Sequence, residues 1–365
     1  MKRLAIVLLL ALSVAACGRK EALPKGAQTA PDAAPVTDKA GSATAASKTL
    51  AAVKRRGVLR CGVNPGLAGF SGADSSGRWR GFDVDFCRAL AAAVLRSPNR
   101  VVFVPLTNAE RFTALKSGRI DVLSRNTTWT FTRDTEDGLD FPGISYYDGQ
   151  GFLAPKGLEL QSASELTGAR ICVQSGSTSE LNLRDWFKAR SINWMPVLAS
   201  TEARARRDYE RGVCDVLSAD ISALASARAT LGDQGAHVLL PDVISKEPLG
   251  PAVRQGDPGW TDIVRWTLNA LILAEELGVT AKEAERLRKE STAPEVRRLL
   301  GAEKGYGAML GLDDAWAYRA IQAVGAYNEV FDRNLGAGSA LKLERGENAL
   351  WNAAKPGLMY APPLR

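Results

Sequence analysis

The chain has 365 residues, 45% hydrophobic and 24% charged, enough for two hydrophobic cores of ordinary domain size. Its formal net charge of +7 raises nucleic acid or an anionic membrane as partners, but Lys and Arg are scattered among carboxylates, the longest clusters being Lys54-Arg55-Arg56 and Arg204 to Arg207. That distribution reads as a solvated basic surface, with no nucleic-acid partner. His237 is the only histidine and there is no C-x-x-C, so zinc or iron–sulfur ligation lacks its ligands, and neither a metal nor a cofactor is expected.

Lys2 and Arg3, the apolar run Leu4 to Leu12 and the small residues ending Val14-Ala15-Ala16-Cys17 have the pattern of a secretory signal over residues 1–16. The run is too short to span a bilayer as a helix, which needs about 20 apolar residues. Val-Ala-Ala-Cys is also similar to a bacterial lipobox, which would acylate Cys17; simple cleavage after Ala16 leaves the same trace. Residues 17–48 are almost wholly small or polar and cannot repay their ordering entropy, so they read as a flexible tether. A tether suits a body held to a membrane through Cys17.

Strands then alternate with helices. Val58 to Val63 reads as a strand, and Gly81 to Leu95 as a helix with Phe82, Phe86, Leu90, Ala93 and Val94 on one face. Val101 to Leu106 is a second strand; Asn108 can cap a helix that Gly118 ends; Ile120 to Ser124 is a third strand. The order predicts parallel pairing in an open α/β sheet. The pattern restarts after Gln150-Gly151, with strands at Ala169 to Val173, Met195 to Leu198 and Cys214 to Ser218, and helices at Thr178 to Ala189 and Thr201 to Arg211. The joining segment Tyr146 to Gly151 has glycines that a hinge can use. Beyond Gly250 the chain turns helical. Trp260, Ile263, Val264, Thr267, Leu271, Ala274 and Leu277 share one face, and a later helix opens at Asp313-Asp314 and carries Trp316, Ala320, Val324, Tyr327 and Phe331. The expected organisation is a first lobe over 49–149, a second over 150–246, and 247–365 completing the first lobe and adding a C-terminal helical extension.

Besides Cys17 there are Cys61, Cys87, Cys172 and Cys214, an even number. Two disulfides are possible in an oxidising compartment, and of the three connectivities, pairing within each half of the chain is the economical one.

In open α/β sheets, ligands bind beyond the carboxyl ends of the strands. Three segments sit there: Ser124 to Arg133, Gln174 to Glu180 and Ala219-Asp220-Ile221. Arg133 can grip a carboxylate as a fork, with donors at Thr128 and Thr178, and Asp220 can receive an ammonium. Each has a plainer reading: Arg133 as a surface ion-pair residue, Asp220 as a helix cap, Ser177-Thr178 as a capping turn. Taken together they suit a zwitterion bridging two lobes.

Gly81-Phe82-Asp83-Val84-Asp85, Ser117 to Leu123, Ser124 to Thr128, Tyr146 to Phe152, Gly250 to Arg254 and the terminal Tyr360-Ala361-Pro362-Pro363-Leu364-Arg365 carry a wider likeness. From about Gly57 to Arg365 the chain resembles the periplasmic polar amino-acid binding proteins of ABC transporters, solute-binding family 3, most of all the long branch for general L-amino acid uptake. The resemblance implies a type II periplasmic binding fold of two hinged lobes, a monomer, and a free L-amino acid as ligand, handed to permease subunits in the inner membrane. It implies Arg133, with Asn126 and Thr128 beside it and Thr178 opposite, at the α-carboxylate; Asp220 at the α-ammonium; and Arg111 toward the ligand side chain. Leu67 and Asn108 stand where cationic amino-acid binders place aromatic rings, and Asn64 replaces an acidic position, so acidic ligands and their amides are the better expectation within a broad specificity. The competing reading is an enzyme on the same scaffold, a periplasmic lyase of the cyclohexadienyl dehydratase type. It would need an acid or base placed in the cleft, and His237 precedes the apolar Val238-Leu239-Leu240, which reads as a strand. A sensing module of a membrane receptor would need a fused signalling segment, and none is visible in the sequence.

Overall fold

A computed structural model describes residues 47–365. The signal sequence, Cys17 and most of the tether lie outside the described residues. Ser47 and Lys48, assigned above to the tether, instead open the helix Lys48–Arg56, where the Ser47 hydroxyl accepts from Leu50 N at 3.0 Å.

The first lobe is built on a three-stranded parallel sheet with Leu59–Val63 in the centre, flanked by Val101–Pro105 and Val122–Leu123. The helix Phe82–Leu95 covers one face, and its burial is nearly complete around the circumference. That explains why its apolar positions exceed a single stripe: a helix packed on several sides needs no polar face. Gly81 precedes it because a Cβ there would lie 2.1 Å from the Phe70 carbonyl oxygen.

The second lobe is a mixed sheet in the order His237–Leu239, Tyr146–Pro155, Val216–Asp220, Arg170–Gln174, Met195–Ala199. The last three strands run parallel, and Tyr146–Pro155 runs antiparallel to its neighbours. Successive residues alternate between two cores: Phe152, Ala154, Ile171 and Val173 face one side; Leu153, Cys172 and Leu217 face the other.

The connection between the lobes, where the sequence places glycines that a hinge can use, is built of paired strands. Residues 146–150 are half of a ten-residue strand, paired antiparallel with Ser245–Leu249 as the chain returns. Gly149 serves close approach there, since a Cβ would sit 2.4 Å from Val243 Cγ1 and 3.1 Å from the Ser245 carbonyl oxygen. After Leu249 the chain rejoins the first sheet: Ala252 exchanges hydrogen bonds with Leu123, and the helix Pro258–Glu276 buries Trp260, Ile263, Val264, Thr267, Leu271 and Ala274 as the periodicity requires.

The single late helix expected from Asp313 to Phe331 is two helices, Trp316–Val324 and Tyr327–Asn334. Gly325 separates them at φ 88°, a backbone state other residues rarely adopt. Both pack on the first lobe: Arg333 and Asn334 reach Asp85 at 2.7 and 2.8 Å, and Tyr327 donates to the Ser145 carbonyl. Asn348 then clasps the connecting strand, accepting from Tyr147 N and donating to its carbonyl. Both disulfides lie within a lobe, Cys61–Cys87 and Cys172–Cys214. No helix among the described residues is long and apolar enough to cross a membrane.

Candidate ligand site between the lobes

Between the two sheets lies a cavity of about 320 Å³. All eight polar residues singled out in the sequence line it: Asn108, Arg111, Asn126, Thr128 and Arg133 from the first lobe, and Ser177, Thr178 and Asp220 from the second.

Each is placed by local chemistry. Asp83, in the first turn of the helix Phe82–Leu95, accepts from Ser124 Oγ at 2.9 Å and Asn126 N at 3.0 Å. This ties down the loop beyond the third strand, where Asn126 sits at φ 34°, a left-handed state that asparagine tolerates. Burial pushes the Asp83 carboxyl up to about 6, against those hydrogen bonds and Arg125. Thr130 caps the short helix Phe131–Thr135 and accepts from Arg133 N, so Arg133 stands in its first turns. Its Nη1 donates to the Thr128 carbonyl at 2.6 Å. The Arg133 and Arg111 guanidinium carbons lie 5.4 and 4.6 Å from the centre of the Phe112 ring, which supports both. Arg111 is 4% exposed, and its Nε has no hydrogen-bond partner among the described residues.

Asn108 is not the helix cap its position suggests. The helix starts at Arg111, and the Asn108 amide instead crosses the cavity to the carbonyls of Ser175 and Gly176, at 3.3 and 2.8 Å. Ser177 does cap the helix Thr178–Ala189, accepting from Glu180 N. The first-turn N–H groups of Thr178 and Ser179 precede the first intrahelical bond, at the positive end of the helix, where both residues line the cavity. Asp220 holds the N-cap position of the helix Ile221–Ala229, yet its side chain makes no capping hydrogen bond. The carboxylate is therefore not consumed by the helix.

Charge is segregated across the cavity. Burial, then the nearby Arg125 and Arg133, push Arg111 well below its ordinary range; burial likewise lowers Arg133, with Glu247 and Asp220 opposing. Burial, then Asp148, Glu247 and Glu202, push the Asp220 carboxyl well above its ordinary range, with Arg133 opposing. The cationic and acidic poles both lack enough counter-charge.

Two acidic residues were not singled out in the sequence. Glu247, 1% exposed on the returning strand, accepts from Thr128 of the first lobe at 2.6 Å and Thr178 of the second at 3.0 Å. Glu202 accepts from Asn64 at 3.1 Å and Asn126 at 3.4 Å across the lobes. With Asn108, these bonds hold the lobes closed. No local signal in the sequence marks Glu247, which stands between Lys246 and Pro248 and whose partners are 119 and 69 residues away. His237 lies outside the cavity lining, its Nδ1 hydrogen-bonded to Tyr209 Oη at 2.6 Å.

The comparisons with known proteins agree with this architecture. The general L-amino acid-binding periplasmic protein of Rhizobium johnstonii is 53% identical over 327 residues, covering 89% of this chain and 95% of its own. The glutamate/glutamine/aspartate/asparagine-binding protein of Rhodobacter capsulatus is 53% identical over 326 residues, with the same shares. A solved periplasmic binding protein of an ABC transporter from Brucella ovis, with glutathione bound, superposes with a TM-score of 0.84 at 50% identity, over 87% of this chain and 99% of that one. Residues 59–283, which hold both sheets and the whole cavity lining, match one family description, and the chain belongs to the bacterial extracellular solute-binding proteins, family 3.

Proposed function

We propose that the interlobe cavity binds free L-amino acids, preferring acidic side chains and their amides, and that the loaded protein delivers them to the membrane subunits of an ABC importer. The observation carrying this reading is the pair of opposed poles, Arg133 with Arg111 against Asp220, each buried and short of counter-charge. A zwitterion satisfies both at once: its carboxylate offers a fork for a guanidinium, its ammonium a charge for Asp220. Arg111 is then available to a side-chain carboxylate or amide. The names of the relatives point to the same ligand class. The lyase alternative is not favoured, since these relatives are named as binding proteins and the sole histidine lies outside the cavity lining. Residence in the periplasm as a monomer, tethered through an acylated Cys17, completes the proposal.

A thermal-shift screen of the twenty amino acids, with glutathione added because the Brucella relative carries it, tests the ligand class. Glutamate, glutamine, aspartate and asparagine should each stabilise the protein, by about 2.7 kcal/mol at a hundred times Kd. A flat response across the set would refute the proposal.

Binding should also release protons. Asp220 is raised by burial, and Asp148, opposite Glu247 in the connecting ladder, is raised to about 6. The empty site therefore holds protons in mild acid; a ligand ammonium favours the ionised carboxylate and expels one. Affinity should fall as the pH drops through the raised titration range of Asp220, by up to about tenfold per unit for one proton. Calorimetry in buffers of different ionisation enthalpy measures the release, and zero net release at every pH across the acidic range would contradict the pairing of Asp220 with the ammonium.

A further inference from the structure

We infer that Glu247 is a specificity-determining positioning residue: by taking the hydroxyl hydrogens of Thr128 and Thr178, it turns both oxygens into acceptors toward the cavity and so selects ligands carrying an α-ammonium. The inference rests on the amino-acid reading above and deepens it.

Glu247 Oε2 accepts from Thr128 Oγ1 at 2.6 Å and Thr178 Oγ1 at 3.0 Å; Oε1 accepts from Asn182 Nδ2 and Ser245 Oγ, both at 2.7 Å. Four donors fill the acceptor positions of one carboxylate. A hydroxyl has a single hydrogen, so a threonine that donates to Glu247 has only lone pairs left for a ligand. The two hydroxyl oxygens stand 3.5 Å apart, one from each lobe, and both residues line the cavity. The sequence suggests these hydroxyls as donors to a carboxylate. In this geometry that work falls to Arg133 and the first-turn N–H groups of Thr178 and Ser179, while the hydroxyls join Asp220 in facing a cation. The arrangement also exists only when the lobes are closed, because Thr128 and Thr178 come from opposite lobes. A single buried side chain on the returning strand thus sets the polarity of the site at the moment of capture.

The register of the network makes the test directional. Asn182 Nδ2 can only donate, so in Glu247→Gln the new amide oxygen must face Asn182 and the new NH₂ must face the threonines. That NH₂ donates to both hydroxyl oxygens and releases both hydrogens toward the cavity. Calorimetry with L-glutamate and 2-oxoglutarate, which share a skeleton but differ in the α-ammonium, should show glutamate weakened about 10- to 100-fold in Glu247→Gln. Binding of 2-oxoglutarate should be unchanged or tighter. Thr178→Val, which removes one hydroxyl at constant shape, should move the ratio in the same direction by a smaller factor, and should do so even if Glu247→Gln fails to fold. Equal weakening of both ligands, or an unchanged ratio in either variant, would overturn the assignment. If the wild-type protein binds glutamate and the ratio stays fixed, this inference fails alone; if the wild type binds no amino acid, the proposed function fails with it.

Discussion

Replacing Arg133 or Asp220 with alanine should weaken amino-acid binding by about 2 to 5 kcal/mol each, from roughly thirtyfold to several thousandfold. The size follows from burial. Both residues are at most 8% exposed, so the partner charge on the ligand would be left unpaired beside a buried position. Arg133→Lys should recover only part of the loss: a lysine keeps the charge but cannot bond the Thr128 carbonyl and a carboxylate through one planar fork. Asp220→Asn should behave nearly as Asp220→Ala toward the ammonium while preserving shape. Isothermal titration with glutamine measures all four variants, and wild-type affinity in both alanine variants would remove these residues from the site.

Breaking the disulfides should cost stability on a similar scale. Cys61–Cys87 closes a loop of sequence separation 26 and Cys172–Cys214 one of 42. Loop-closure entropy then assigns them about 3.5 and about 4 kcal/mol, the longer loop more. All four cysteines are nearly or fully buried, so each bridge pins a strand inside a core: Leu59–Val63 to the helix Phe82–Leu95 in one lobe, Arg170–Gln174 to the approach of Val216–Asp220 in the other. Denaturant unfolding of Cys61→Ser/Cys87→Ser and Cys172→Ser/Cys214→Ser checks the values. A loss below about 1 kcal/mol for the second pair would mean that packing alone holds that lobe.

Much of this was legible in the sequence because the signals are local. A helix such as Pro258–Glu276 announces its buried face through residues three and four apart, and the alternation of strands and helices fixes a parallel sheet whose ligand end is known in advance. Asp220 and Thr178 follow because they sit at, or a few residues beyond, the end of a strand, and Arg133 because it closes the polar stretch that begins at the end of the third. The errors are equally physical. Gly325 looks tolerable inside a periodic stretch, and only its φ of 88° in the packed chain shows that it divides two helices. Asn108 has the chemistry of a cap, but the second lobe supplies better partners at Ser175 and Gly176.

Two α/β sheets, their order, the economical disulfide pairing and the residue types at the strand ends could be read from the chain, since all of these depend on spacing and on side-chain chemistry. Folding brings eight separated residues into one cavity, pairs the connecting segment as a strand, and sets Glu247 between Thr128 and Thr178. Those facts are contacts across 69 and 119 positions, and a buried carboxylate can be understood only when the donors that compensate its lost water are in place.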